Sequence, residues 1–482
     1  MTAVNSKHIV LVPMIMWDIT MFVSDAFFER SKVEIAKDFE DEEEHLLAKI
    51  TYEALLVPLK QSNSPFDSAS YEADFLETWA KVMDGEPLNG YTADGTPRDV
   101  YSNKKDWLSG AIVDMFAIRA FKALHGLKED LGIKLFTWYP SAASSLFFWF
   151  GEDRIPRAEE LAARTGVSFD IAAHELFTRA SGRIVESPCL PTMYDYEYRP
   201  QAAYLPPEFS SNVLIQVHRV LRDTDGMITI DAADYHPQTT AAIRSWFAPR
   251  PVYYAGPLVP REPPILPTDE DAADAMRFMD ARLQSHGPKS VILISFGSMF
   301  WPPNAAKVGA VLNALMDKNI PPLSVIPEET MSRLQQYEAA FVSKWIPQHA
   351  VLSHEAAGWC LTHAGLNTVF ECILANVPMI LWPIDADQPP NAVQLSEDLG
   401  IAYELIEVRN EAGLGTIYRT GEKPTGSIEA VKAEVRDVLA RASGPDGQEK
   451  RMRLDALRTK LQAAWAQGGV ARADVETFLD SL

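Results

Sequence analysis

Residues 358–374 read Gly358-Trp-Cys-Leu-Thr-His-Ala-Gly-Leu-Asn-Thr-Val-Phe-Glu-Cys-Ile-Leu374, and the fold can be argued outward from them. Gly358-Trp-Cys-Leu-Thr362 has the length and apolar character of a strand covered on both faces. His363-Ala-Gly365 is a turn, and the segment running on through Val369-Phe-Glu-Cys-Ile-Leu374 is helical. A strand, a glycine-containing turn and a helix together aim free backbone N–H groups and the positive end of a helix dipole beyond the strand, which makes a ready anion site. His363, Asn367 and Thr368 add polar donors there.

The same habit extends in both directions. Ser290–Phe296, Val377–Trp382 and Ile401–Leu405 are further apolar runs in the second half. His8–Val12, Ile19–Val23, Ala54–Val57, Gly110–Val113 and Ile133–Thr137 supply the first half. Strand-length runs that are apolar on both faces and alternate with helical stretches predict parallel sheets with helices on each side. The expected fold class is therefore α/β, with two Rossmann-like, doubly wound lobes. Gly256 to Pro267 holds five prolines and reads as a semi-rigid linker. The expected division is a first lobe over 1–255, a linker over 256–271, a second lobe over 272–447 and a helical C-terminal segment over 448–482. Open parallel sheets bind ligands beyond the carboxyl ends of their strands, so the cleft between the lobes is the expected site.

Composition narrows the function. The chain has 482 residues, 44 Lys plus Arg against 66 Asp plus Glu, and a net charge of −22. That balance argues against a nucleic-acid partner, which needs clustered cations. With 47% hydrophobic and 23% charged residues, the chain is an ordinary globular protein rather than a disordered one. The three cysteines, Cys189, Cys360 and Cys372, are too few and too scattered for a zinc quartet or a disulfide framework. They suggest a reducing compartment. No apolar stretch approaches the ~20 residues that span a bilayer, and Met1 to Val12 lacks a small-residue cleavage site. A soluble, cytoplasmic protein is expected.

Three more pieces join the turn at 363–365. Phe296-Gly-Ser298 follows a strand, where Gly297 admits a close ligand and Ser298 can donate to a phosphate. Trp345-Ile-Pro-Gln348 offers a flat aromatic face. Trp382-Pro-Ile-Asp-Ala-Asp-Gln388 ends a strand with a carboxylate and an amide suited to sugar hydroxyls. Each has an ordinary structural reading, as core, helix cap or satisfied histidine. Their conjunction describes a nucleotide-sugar site.

The run Trp345-Ile-Pro-Gln…His363-Ala-Gly-Leu-Asn-Thr…Glu371…Asp387-Gln388 resembles the nucleotide-sugar box of the UDP-glycosyltransferases that modify small lipophilic molecules, at the family's spacing and without a gap. The likeness extends over nearly all of both lobes, including Ile228-Thr-Ile-Asp-Ala and Val252-Tyr-Tyr-Ala-Gly-Pro-Leu258, and is of the fungal type. It implies the GT-B fold, two Rossmann-like lobes facing a cleft, with the C-terminal helix crossing back to the first lobe. It implies that Trp345 stacks on uracil and that the Ile346 backbone pairs with the base. Gln348 and Glu371 would hold the ribose. Ser298, His363, Asn367 and Thr368, around the Gly365 turn, would hold the diphosphate, and Asp387 and Gln388 the sugar. Leu366 departs from the plant pattern, where a Trp is usual. The donor would be a UDP-sugar and no metal or other cofactor is implied, because the helix N-terminus and His363 stabilise the leaving UDP. The implied reaction is inverting hexosyl transfer, glucosyl first, to a hydroxyl of a small lipophilic or aromatic acceptor. Phe147–Phe150 and Tyr194, Tyr196 and Tyr198 are candidates for walls of the acceptor pocket.

One part of the family pattern is missing. A catalytic His should follow the first strand, oriented by an Asp at a later strand end, as in a Ser-His-Asp relay. Asp114 occupies the orienting position after Gly110–Val113. None of the ten histidines follows the first strand. Only Met14 to Asp18 separates Pro13 from the next run, whereas adjacent parallel strands need a crossover of at least ~10–12 residues. The loop with the base and the first helix is therefore read as lost. Asp18 or Asp114 could act as base instead, though a carboxylate is a poor base unless burial raises its pKa. The alternative function is a catalytically impaired UDP-sugar-binding homologue. A dinucleotide oxidoreductase is disfavoured, because no G-x-G-x-x-G follows the first strand. A purely structural α/β protein would leave the box unexplained.

Overall fold

The computed structural model describes residues 109–202, 207–259, 270–297, 300–325, 340–343 and 345–482, together with the strands at 19–24, 50–55, 88–92 and 97–100 and residues 76, 77, 79–81 and 84. Ser298, and the stretch from His8 to Asp18 where the first crossover is judged missing, lie outside these residues.

Among the described residues the first sheet has four strands, β1 (Ile19–Ser24), β2 (Ile50–Leu55), β3 (Leu88–Thr92) and β4 (Pro97–Val100), in that order. β1 and β2 are parallel, and β3 and β4 turn antiparallel. The second sheet starts with β5 (Gly110–Asp114) and β6 (Lys134–Tyr139), linked by the helix Ile118–Leu131. A small antiparallel hairpin, β7 (Ile184–Ser187) and β8 (Leu190–Tyr194), stands apart from it. β9 (Gly226–Thr229) and β10 (Val252–Tyr254) complete the sheet in the order β10-β9-β6-β5, all parallel. Among the described residues β5 is an edge, and its Ile112 is 44% exposed.

Among the described residues the second lobe has one six-stranded parallel sheet of β11 (Val291–Ser295), β12 (Pro322–Val325), β13 (Phe341–Ser343), β14 (Ala357–Thr362), β15 (Met379–Leu381) and β16 (Ala402–Glu404). Every residue of β11, β14 and β15 is buried, as continuous apolar runs with helices on both faces require. The order β13-β12-β11-β14-β15-β16 reverses direction between β11 and β14. That reversal opens a crevice at the carboxyl ends of these two strands, where open parallel sheets take their ligands.

The helix Leu366–Leu374 buries Leu366, Val369, Phe370 and Ile373, spaced as one face of a helix, and Cys372 with them. Each such side chain stabilises by about 1.5–3 kcal/mol on burial. Leu366 therefore points into the core. First-lobe residues Ala142, Ile230, Ala232 and Tyr235 belong to the same apolar cluster, and Tyr235 meets Phe370 edge-on at 5.4 Å. The lobes thus share one core at the base of the cleft.

The helix Pro445–Gln462 packs on the second lobe, and the helix Val470–Asp480 lies on the first. Val475, Phe478 and Leu479 cover Phe136, Ile228 and Tyr253 of β6, β9 and β10. Asp474 fixes the position, accepting from the Tyr254 amide at 2.8 Å and pairing with Arg244 at 2.5 Å.

Candidate active site

The crevice between β11 and β14 is built from their last residues. At the end of β11, Ser295 Oγ donates to Gln348 Oε1 at 2.7 Å. Gln348 opens the helix Gln348–Ser353, and its Nε2 donates to Glu371 Oε2 and to Thr368 Oγ1, the latter at 3.3 Å. Glu371 and Thr368 lie on the helix Leu366–Leu374. Three elements distant in sequence thus bring Ser295, Gln348, Thr368 and Glu371 into one hydrogen-bonded group.

His363 follows β14 and is buried. Its imidazole fills the space over two glycines: a Cβ on Gly297 would lie 2.9 Å from the ring and one on Gly365 2.6 Å from it. Gly297 also has φ +70°, which favours glycine on conformational grounds. Burial pushes the imidazole pKa down to about 4, so the ring is neutral near pH 7. Its Nδ1 is hydrogen-bonded to Thr362 Oγ1 at 3.2 Å. Gly365 is the N-cap of the helix Leu366–Leu374 and supplies no side-chain cap, so the first-turn amides stay directed at the crevice. Asn367 is exposed in that turn.

Trp345 is 44% exposed, while Ile346 beside it is buried. The Trp345 backbone is fixed by Ser343, whose Oγ accepts from its amide at 3.1 Å and donates to its carbonyl at 2.6 Å. A fixed backbone carrying an exposed ring suits stacking.

Asp387 and Gln388 sit deeper than their role as open hydroxyl acceptors leads one to expect; both are buried. Gln388 Oε1 accepts from the amides of Ile384 and Asp385 at 2.9 and 3.2 Å, closing its own loop. Asp387 Oδ2 accepts from Asn391 Nδ2 at 3.1 Å and from the first-lobe Ala142 amide at 3.2 Å. Burial raises the Asp387 pKa.

Asp114 ends β5, and its Oδ1 accepts from the Phe116 amide at 2.8 Å. Its Oδ2 is buried and has no hydrogen-bond partner among the described residues. Burial raises the carboxyl to about 6, against the pull of the Phe116 amide. A raised carboxyl holds its proton in the folded chain at pH values where the unfolded chain has lost it. Stability therefore falls as pH rises from near 4 through about 6, and stays lower above that. Asp114→Asn should raise stability at pH 7.5 by about 1–2 kcal/mol after solvent screening, and hardly at pH 4. Thermal melts at the two pH values read this directly, and an equal shift at both would show that charge is not the cause.

The proposed acceptor aromatics are mostly interior. Phe148, Trp149 and Phe150 are buried, and Phe148 stacks on Tyr198 at 4.0 Å and 3°. Tyr194 and Tyr196 stack at 5.1 Å, and Tyr196 OH donates to the second-lobe Thr416 carbonyl at 2.6 Å. The stacked pairs lie within the first lobe, and Tyr196 ties it to the second. Sequence reasoning missed Ser295, which locks Gln348, and the Arg199–Asp385 ion pair across the lobes, 3.2 Å long and buried on both sides. Neither stands in a pattern of its own; only the pairing of strand ends reveals them.

Comparison with known proteins agrees with this geometry. The family described as UDP-glucoronosyl and UDP-glucosyl transferase matches residues 266–410. UDP-glycosyltransferase eriJ of Hericium erinaceus is 32% identical over 351 residues, 68% of each chain. UDP-glycosyltransferase 71B2 of Arabidopsis thaliana is 24% identical over 462 residues, 90% of this chain and 86% of that one. Among solved structures, a UGT transferase from Siraitia grosvenorii in complex with UDP superposes with a TM-score of 0.68 at 18% identity, over 100% of this chain and 96% of that one. Phytolacca americana UGT2 complexed with UDP-2fluoro-glucose and pterostilbene gives 0.63 at 18% identity, over 96% and 99%. The architecture is GT-B, that of a sugar-nucleotide transferase. The chain belongs to the UDP-glycosyltransferase family, whose members draw their sugar from a UDP-sugar donor without a metal cofactor. No helix among the described residues is long and apolar enough to cross a membrane, and none of their His, Cys, Asp and Glu side chains cluster to hold a metal ion.

Proposed function

We propose that this chain transfers a hexosyl group, glucosyl first, from UDP to a hydroxyl of a small lipophilic or aromatic acceptor, with inversion at the anomeric carbon. The observation that carries the reading is the crevice between β11 and β14, where the Gln348–Glu371–Thr368 group and the neutral His363 meet an open helix start. Trp345 takes the uracil face and the Ile346 backbone its edge. Gln348 and Glu371 take the ribose hydroxyls. His363, Asn367, Thr368, the Gly365 turn and Ser298 take the diphosphate. Asp387 and Gln388 face the sugar.

In this reaction the acceptor oxygen bonds to the anomeric carbon as the bond from that carbon to the phosphate oxygen breaks, and UDP leaves with the electron pair. A base takes the hydroxyl proton. Charge developing on the departing diphosphate falls on the helix N-terminus and on His363, whose pKa rises when an anion arrives.

A second reading has its own support. Among the described residues Asp114, which this reading assigns to orient a base, has an unpartnered oxygen, and the strand that carries it is an exposed edge. With no histidine following the apolar run His8–Val12 at the expected position, the chain would bind the donor and transfer slowly. Calorimetry with UDP tests both readings against any unrelated function: binding is expected, and its absence removes them together. A product assay with UDP-glucose and a phenolic acceptor then separates them. Transfer at family-like rates favours the first, and binding without transfer the second.

A further inference from the structure

The loop Pro383–Asp387 belongs to the second lobe, yet much of its anchoring comes from the first. Gln201 Nε2 donates to the Pro383 carbonyl at 3.4 Å. Arg199 pairs with Asp385 at 3.2 Å. Trp149 Nε1 donates to the Ala386 carbonyl at 3.2 Å, and the Ala142 amide donates to Asp387 Oδ2 at 3.2 Å. Ala386, at the centre of the grip, has φ +60°, a conformation that costs a non-glycine residue energy and needs such restraint.

The gripping elements are themselves fixed. Trp149 lies on the helix Leu146–Phe150, and Ala142 and Ala143 sit at the start of the turn that leads into it. Asp231, just beyond β9, holds that turn: its Oδ2 accepts from the Ala143 amide at 2.8 Å and its Oδ1 from the Ala232 amide at 2.8 Å. Two carboxylates, one from each lobe, thus accept from consecutive amides of one turn.

We infer that Trp149 and Asp231 are positioning residues for donor recognition, the first lobe setting the shape of the loop through which the second lobe reads the sugar. This rests on the reading of Asp387 as a sugar contact. Neither residue touches the donor; each acts on Asp387, Trp149 through the Ala386 carbonyl and Asp231 through the Ala142–Ala143 turn. Recognition of the sugar then depends on the packing of the lobes, while recognition of UDP does not.

The experiment measures Kd for UDP and for UDP-glucose in the full chain and in three variants, with a melting temperature for each. Trp149→Phe keeps an aromatic ring in the core and removes one donor. Asp231→Asn keeps one acceptor oxygen where two were used, and serves if the first variant folds poorly. Each is expected to weaken UDP-glucose by about fivefold, the equivalent of one hydrogen bond, and to leave UDP unchanged. Asp387→Asn should change the same ratio directly. If Asp387→Asn changes the ratio and the other two variants do not, the inference is wrong and the sugar reading survives. If UDP and UDP-glucose weaken together in Trp149→Phe and Asp231→Asn, those residues are merely structural. If Asp387→Asn leaves the ratio unchanged, the sugar reading fails and the inference falls with it.

Discussion

A chain rebuilt with a family-type loop and helix after Pro13, the loop carrying a histidine, should transfer sugar about 10²–10⁴-fold faster than the chain as it stands, because that is what a positioned general base contributes. UDP affinity should not change, since the insertion lies in the other lobe. Asp114 provides the physical ground. One of its oxygens is engaged by the Phe116 amide, and the other is buried without a partner among the described residues. An imidazole N–H supplied to that oxygen would gain a charge-assisted bond, lower the carboxyl from about 6 and raise the imidazole pKa toward that of a useful base. Steady-state rates of the two chains at saturating donor decide the matter. Equal rates would mean that the chain already holds an adequate base, and the impaired reading would be dropped.

The second large effect concerns Trp345. Its ring is 44% exposed, and its backbone is held by Ser343 independently of the ring. Trp345→Ala should therefore leave the melting temperature nearly unchanged. Loss of base stacking costs about 1–3 kcal/mol, so the Kd for UDP should rise roughly 5- to 150-fold. Calorimetry with UDP gives the number. An unchanged Kd would place the uracil elsewhere, and the assignment of Ile346 to the base edge would go with it.

The sequence is most legible where one run settles its own surroundings. The fully buried strands β11, β14 and β15 show as unbroken apolar runs, and the Gly365 turn shows because a glycine stands between such a strand and a helical pattern. Much less can be read where a residue's meaning depends on a distant partner. Phe148 and Trp149 look like an aromatic wall, but whether such rings line a pocket or pack inward depends on what faces them. Phe148 meets Tyr198, fifty residues on in the chain. Gln388 looks like a free amide at a strand end, yet its oxygen closes the loop behind it. The antiparallel pairs β3–β4 and β7–β8 are also hidden, being short strands whose alternation spans too few residues to register. Arg199 and Asp385 lie far apart in sequence, and no local pattern announces the pair.

The helix Val470–Asp480 bears on how the protein is made. Phe136, Ile228 and Tyr253 belong to strands synthesised before the second lobe, yet they are covered by Val475, Phe478 and Leu479, which follow that lobe in the chain. Until then one face of the first lobe's sheet stays wet, and the lobe cannot finish on its own schedule. Chains of several domains usually complete the N-terminal one first during synthesis. Here the order of translation and the order of completion part company: the first lobe waits for a helix made after the second.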